Sequence, residues 1–261
     1  MRGSGTLLAD ERRRLIAERL VERGSVSVAA IESEFGVSPM TARRDLHELE
    51  RQGIARRTHG GAVLPGLSSH EDSFFQRLEV AVEQKERLAA AAVELIGPGE
   101  AVFLDSSTTA YFVARRVFAE NMRCTVLTNA VPVMQLACET EAPQVEVIGV
   151  SGSLRKLTRS FVGPLALAGI EAHFADLALL SVKGVTPDGH MTDPDALEAE
   201  IKRAMVSRAR RSALLVDGTK FERPALSLIA HATELTGVLA ADVSASCVKR
   251  LTDAGVDVRT V

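Results

Sequence analysis

Apolar residues in the first 64 positions recur at helical spacing in three short blocks. In DERRRLIAERLVERG, Leu15, Ile16, Leu20 and Val21 form one stripe, and Gly24 is a stop signal. SVAAIESEFG predicts a second, short helix, with Ser27 as cap, Ile31 and Phe35 as an i,i+4 pair and Gly36 as terminator. A third helix starts at Ser38-Pro39, where serine suits the N-cap and proline the first helical position. Its Ala42, Leu46 and Leu49 recur at i, i+4, i+7 and should face a core, and Gly53 should end it. IARRTHGGAVL then predicts two short strands around Gly60-Gly61.

From residue 101 onward the pattern changes. AVFLD (101–105), CTVLT (124–128), VEVIGV (145–150), DLALLSV (176–182), ALLVD (213–217) and VDVRTV (256–261) are near-continuous apolar runs, as expected of parallel strands buried on both faces. Helical patterns lie between most of them, so the class is α/β. FFQRLEVAVEQKERLAAAAVELI, before the first run, predicts one helix. The turn-forming LPGLSSHEDS (64–73) is a linker. The expected organisation is a winged helix-turn-helix over 1–64, a linker over 65–82 and a mostly parallel α/β domain over 83–261.

Composition adds little until charge is divided along the chain. The 261 residues carry a net charge of −3, from 31 Lys+Arg and 34 Asp+Glu. Residues 1–66 hold 11 Arg, no Lys and 9 acids, a balance of +2; the other 20 cations and 25 acids give −5. Guanidinium grips phosphate bidentately and reads guanine edges. Trp is absent and Tyr occurs once, which disfavours stacking on bases. Cys124, Cys138 and Cys247 lie far apart and read as buried thiols of a cytoplasmic protein. Neither a secretory leader nor a membrane span is expected, so no membrane partner is either.

A capped helix behind a tight turn, followed by a basic hairpin, suits the DNA major groove. Ser38, Met40, Thr41, Arg43, Arg44 and His47 on that helix, with Arg56 and Arg57 on the wing, are the candidate contacts to double-stranded operator DNA. A three-helix protein-binding module is the competing reading. SPMTARRDLHELERQGIARRTHGGAV resembles the helix-turn-helix of the DeoR family of bacterial repressors, in Ser38, Thr41, Arg43, Arg44, Asp45, Leu46, Gly60 and Gly61.

In open α/β sheets ligands bind beyond the carboxyl ends of strands. Those ends here carry Asp105, Ser106, Ser107, Thr108 and Thr109; Thr128 and Asn129; Gly152 and Arg155; Lys183; and Asp217 and Lys220. Glu198 and Lys202, at i,i+4 on the intervening helix, join the candidate set, although a surface ion pair is the ordinary outcome of that spacing. Hydroxyls at a helix N-terminus, together with several cations, predict a small phosphorylated polyol. The expectation is a phosphate on residues 106–109, with hydroxyls near Asp105, Asn129 and Asp217. His190 and Asp193 are too few for a metal site, and no cofactor is expected.

This half also resembles the DeoR-family sensor domain, itself similar to ribose-5-phosphate isomerase-type folds. The likeness rests on LDSSTT, TN, Gly152 with Arg155, VGPLA, LEAEIKRAM and VDGTKF. The resemblance implies a regulator of carbohydrate metabolism, most simply a repressor released by a sugar phosphate. The alternative is a sugar-phosphate isomerase fused to a DNA-binding domain. That alternative needs a carboxylate base, and where such isomerases carry an acidic cluster this chain has SVKG; Asp105 and Glu198 are the only substitutes. A single module binds few base pairs, so a homo-oligomer held by the C-terminal domain is expected.

Overall fold

The computed structural model describes residues 9–23, 25–51, 54–58, 60–63, 72–221 and 224–261. It divides into two compact units, Met1–His70 and Glu71–Val261. The predicted stops Gly24 and Gly53 and the stretch 64–71 lie outside the described residues, as do the side chains of Val21 and Arg56.

The first unit runs α1 (Ala9–Arg23), β1 (Ser25–Ser27), α2 (Val28–Phe35), α3 (Pro39–Arg51), β2 (Arg56–Thr58) and β3 (Gly61–Val63). Ile16 and Leu20 of α1, Ile31 of α2, and Ala42, Leu46 and Leu49 of α3 form its core, as their spacing predicts. The Ser27 hydroxyl accepts from the Ala30 amide, and Gly36 ends α2 at φ 62°, a left-handed conformation that glycine adopts freely. The wing holds a third strand that the sequence did not announce: the order is β1-β3-β2. Ser27 is therefore a strand end as well as a cap. Gly61 is required there by close approach, because a Cβ at this position would sit 2.1 Å from the Val26 carbonyl oxygen.

The second unit opens with α4 (Phe74–Leu78) and α5 (Val82–Val93). There follow β4 (Ala101–Leu104), α6 (Thr108–Ala119), β5 (Cys124–Thr128), α7 (Val131–Glu139), β6 (Val145–Gly149), the hairpin β7 (Ser153–Arg155) and β8 (Ser160–Val162), and α8 (Pro164–Glu171). The chain continues through β9 (Ala175–Leu180), β10 (Gly184–Val185), β11 (His190–Asp193), α9 (Ala196–Ser207), β12 (Ala209–Asp217), β13 (Ser227–His231), β14 (Gly237–Ala241), α10 (Ala245–Asp253) and β15 (Val258–Thr260). Seven strands form one sheet in the order β15-β14-β12-β9-β4-β5-β6, paired in parallel throughout.

Alternate residues serve two cores. Phe103, Ala178, Leu180, Leu214 and Val216 pack on one face; Val102, Leu104, Leu177, Leu179 and Leu215 pack on the other. Period-two alternation sends successive side chains to opposite faces, so a doubly covered strand must be apolar throughout. After β4 the chain moves outward to β5 and β6, then returns to place β9 on the other side of β4. The sheet thus has a topological switch point between β4 and β9.

Three expectations change. The single helix over residues 74–96 is two, because Ala81 takes a left-handed conformation (φ 53°) and the Lys85 ammonium donates to the Arg77 and Val80 carbonyls at the break. The linker does not extend to residue 82: Phe74 is 2% exposed, packs edge-on against Tyr111 and donates its amide to the Leu157 carbonyl, so this stretch belongs to the second unit. Of the three cysteines only Cys124 is buried; Cys138 is exposed and Cys247 half-buried. No helix among the described residues is long and apolar enough to cross a membrane.

Candidate functional site

On α3 the Ser38 hydroxyl accepts from the Thr41 amide at 3.2 Å and lies 3.0 Å from the Thr41 hydroxyl. Both hydroxyls are thereby tied to the cap, and Thr41 is half-buried. Met40 is 69% exposed, and Arg43, Arg44 and His47 are exposed beside it. The acids of this helix are each engaged within the unit. Asp45 is buried and accepts from Arg12 Nε at 2.6 Å, and Glu48 pairs with Arg51 at 2.6 Å. On the wing Arg57 is exposed, and its amide donates to Glu50 Oε1 at 3.0 Å. The result is a capped helix end with two solvent-facing guanidinium groups and no exposed carboxylate from Asp45.

In the second unit a cavity of about 300 Å³ opens beyond the switch point. Lys183 reaches it from the turn after β9, Lys220 from the turn after β12, Thr108 from the N-terminus of α6 and Arg77 from α4. A much smaller pocket adjoins it, sharing Arg77, Thr108, Lys183 and Lys220 and lined also by Thr109 and Lys202. Asp72 pairs with Lys183 at 3.2 Å at its rim. Cations crowd here. Burial lowers the pKa of Lys220, and Lys183, Arg77 and Lys202 lower it further against the opposing pull of Asp217. Burial, then Lys220, push Lys85 down to about 8. An anion placed among these groups would relieve both effects.

Behind the cavity lies a buried polar network. Lys202 Nζ donates to Asp193 at 2.7 Å and to the Ser181 carbonyl at 2.9 Å, and stands 3.5 Å from Asp105. Burial disfavours its charge, but Asp193, Asp105 and Glu198 outweigh that and raise its pKa. Burial raises the pKa of Asp105, against Lys202 and donors from Ser107 and Ser181. Glu198 accepts from Ser106 at 2.8 Å and from Ser160. Glu198 and Lys202 are 2% and 4% exposed, so the surface ion pair suggested by their spacing does not form.

The sequence-predicted effector residues thus separate. Thr108, Lys183 and Lys220 line the cavity, and Ser107, Thr109 and Lys202 line the small pocket beside it. The Ser106 and Ser107 hydroxyls are already engaged. Ser107 caps α6 by accepting from Ala110 and donates to Asp105, which also receives the Ser107 amide. Thr128 ties β5 to the Leu104 carbonyl at 2.7 Å, and Asn129 donates to the Phe161 carbonyl at 2.9 Å. At Gly152 a Cβ would meet Ala166 Cβ and the Val162 carbonyl at 2.8 Å, so that glycine serves packing. Arg155 pairs with Asp195, the N-cap of α9, at 3.1 Å. Asp217 accepts from Thr219 and stands 3.8 Å from Lys220. His190 pairs with Asp188 while Asp193 holds Lys202, so these two do not converge.

Arg77 and Lys85 were missed. Their signal was present: neither has an acid three or four positions away, and Lys85 lies among Ala81, Val82, Leu88 and Ala89 at those spacings. A cation on an apolar stripe must go inward. Arg77 Nε and Nη2 are buried and have no hydrogen-bond partner among the described residues.

Comparison with known proteins adds the following. Residues 12–66 match the DeoR-like helix-turn-helix domain, and residues 80–240 match the DeoR C terminal sensor domain. The chain is 33% identical over 251 residues to a putative aga operon transcriptional repressor of Escherichia coli O157:H7, covering 95% of this chain and 92% of that one. It is 34% identical over 212 residues to the glycerol-3-phosphate regulon repressor of Escherichia coli (strain K12), covering 81% and 82%. It is 30% identical over 230 residues to the L-fucose operon activator of the same strain, covering 87% and 93%.

Proposed function

The chain belongs to the DeoR family of DNA-binding transcriptional regulators, and on that premise we propose that it represses an operon of sugar or polyol metabolism and is released by a phosphorylated sugar. It is a regulator, not an enzyme, and its sensor unit fits a sugar-phosphate effector. The observation that carries the effector reading is the cavity at the switch point, where Lys183, Lys220 and Arg77 converge with Thr108. The fused-isomerase alternative has nothing to support it. Asp105 and Glu198, the carboxylates it would need as base, are 0% and 2% exposed and engaged by protein donors.

Operator DNA is read by Arg43, Arg44, His47 and Met40 on α3, with Ser38 and Thr41 setting the helix end and Arg56 and Arg57 gripping phosphate from the wing. The regulator acts on DNA, hence in the cytoplasm. It does so as a homo-oligomer, at least a dimer, held by the sensor unit so that two helices meet two half-sites. One relative is an activator by name and two are repressors, so the sign of regulation is read from a reporter as well as from DNA binding.

The test is a thermal-shift screen of phosphorylated sugars against their parent sugars, followed by gel shift and a promoter reporter. The phosphates alone should stabilise the protein, one should release operator DNA, and the reporter should rise with it. Equal stabilisation by parent sugars would remove the phosphate reading; a reporter that falls on release would make the protein an activator.

A further inference from the structure

Arg77 carries two donors, Nε and Nη2, on one edge of its guanidinium, the edge that accepts two oxygens of one carboxylate or phosphate. Both atoms are buried, both lack a hydrogen-bond partner among the described residues, and the side chain lines the same cavity as Lys183, Lys220 and Thr108. Hydrogen-bonding groups in such surroundings are ordinarily satisfied. Asp72, five residues earlier, enters the same cavity from its rim and pairs with Lys183 at 3.2 Å. Its carboxylate is 48% exposed, whereas Lys183 is 20% exposed.

We propose that Arg77 takes the effector's phosphate on this edge, with Lys183 and Lys220 on the remaining oxygens, and that the phosphate thereby displaces Asp72 from Lys183. The inference rests on the phosphorylated-effector reading and names its anchoring residue. It also defines the ligand class, a phosphomonoester dianion: two charges and a tetrahedral set of oxygens match one bidentate guanidinium and two ammonium groups. Asp72 and Arg77 flank Ser73, which caps α4 through a reciprocal pair with Gln76. A ligand that takes up Arg77 and releases Asp72 therefore acts at both ends of one short helix. That helix is the first element of the sensor unit, directly after residues 64–71 in the chain.

Inorganic phosphate is the probe. Its affinity for the full chain is measured by calorimetry against chloride at equal ionic strength, for wild type, Arg77→Met, Arg77→Lys and Asp72→Asn. Arg77→Met should lose at least tenfold in affinity, and Arg77→Lys should lose nearly as much, because one ammonium cannot replace the two-donor edge. Asp72→Asn should bind several-fold more tightly, since the competing charge on Lys183 is gone; its melting temperature, measured alongside, separates this from a change in fold. Unchanged affinity in Arg77→Met, or unchanged or weaker affinity in Asp72→Asn, overturns the proposal and leaves the phosphorylated-effector reading standing. If wild type binds neither phosphate nor any phosphorylated sugar, both fall together.

Discussion

Arg43 is exposed on α3, whereas Asp45, two residues on, is buried against Arg12 at 2.6 Å. The two should therefore fail differently. Arg43→Ala should weaken operator binding by about 1–3 kcal/mol and leave the melting temperature unchanged. Asp45→Ala should destabilise the first unit by about 3–5 kcal/mol, because the Arg12 guanidinium stays buried with its closest carboxylate removed. Scanning calorimetry and gel shift separate the two, and equal melting temperatures would refute the buried-pair account. Titration gives a second prediction at this scale. Lys85 is pushed to about 8 from an ordinary 10.5, and Lys220 is lowered as well. A bound dianion raises both, so binding takes up protons; the gain is complete below the free-state pKa and is lost as pH rises from there through the raised bound-state value. The phosphate becomes dianionic above about pH 6. Effector affinity should peak between about pH 6.5 and 8 and decline above, and calorimetry showing a flat profile to pH 9.5 would contradict this. At Lys202 spacing misleads: its carboxylates are Asp193, nine positions back on β11, and Asp105, 97 positions distant, whereas helical spacing offered Glu198. Spacing reports neighbours along a helix, not what the fold packs against it.

At the level of elements, α3 was legible because cap, proline and apolar spacing agree. Six of the seven sheet strands were legible as near-continuous apolar runs. β14 was not, since Gly237–Ala241 has only one β-branched residue, Val238, among glycine, leucine and alanines, too little of the composition that marks strands. The small antiparallel sheets escaped for a different reason: β10 has two residues and β7 three, too few for any periodicity. The break between α4 and α5 was hidden by good helix formers on both sides. It yields a prediction with opposite signs for the two structures. In a continuous helix Ala81→Gly would cost about 1 kcal/mol. At φ 53° glycine relieves the left-handed penalty of about 1–2 kcal/mol instead. Urea unfolding of Ala81→Gly should thus show equal or greater stability, and a loss of 1 kcal/mol would restore the single helix.

For the whole molecule, the division of labour followed from charge and pattern together: an arginine-only positive segment, then an acidic α/β body. The boundary was placed too late because Ser73 and its neighbours look like linker until Phe74 is seen to be buried. Function at the level of a DNA-binding regulator was readable, while several of the predicted effector residues turn out to be engaged inside the protein, because polar strand ends bind their own loops. Glu198 illustrates what that internal binding does. One oxygen holds Ser106, in the loop before α6, and the other holds Ser160, on the β7–β8 hairpin. Two segments 54 positions apart in sequence are latched to a single side chain. Their amides should accordingly exchange with deuterium as one cooperative opening unit. Glu198→Ala should let the hairpin exchange sooner than the loop, whereas a hairpin that already exchanges independently in the wild type would mean the latch does not hold.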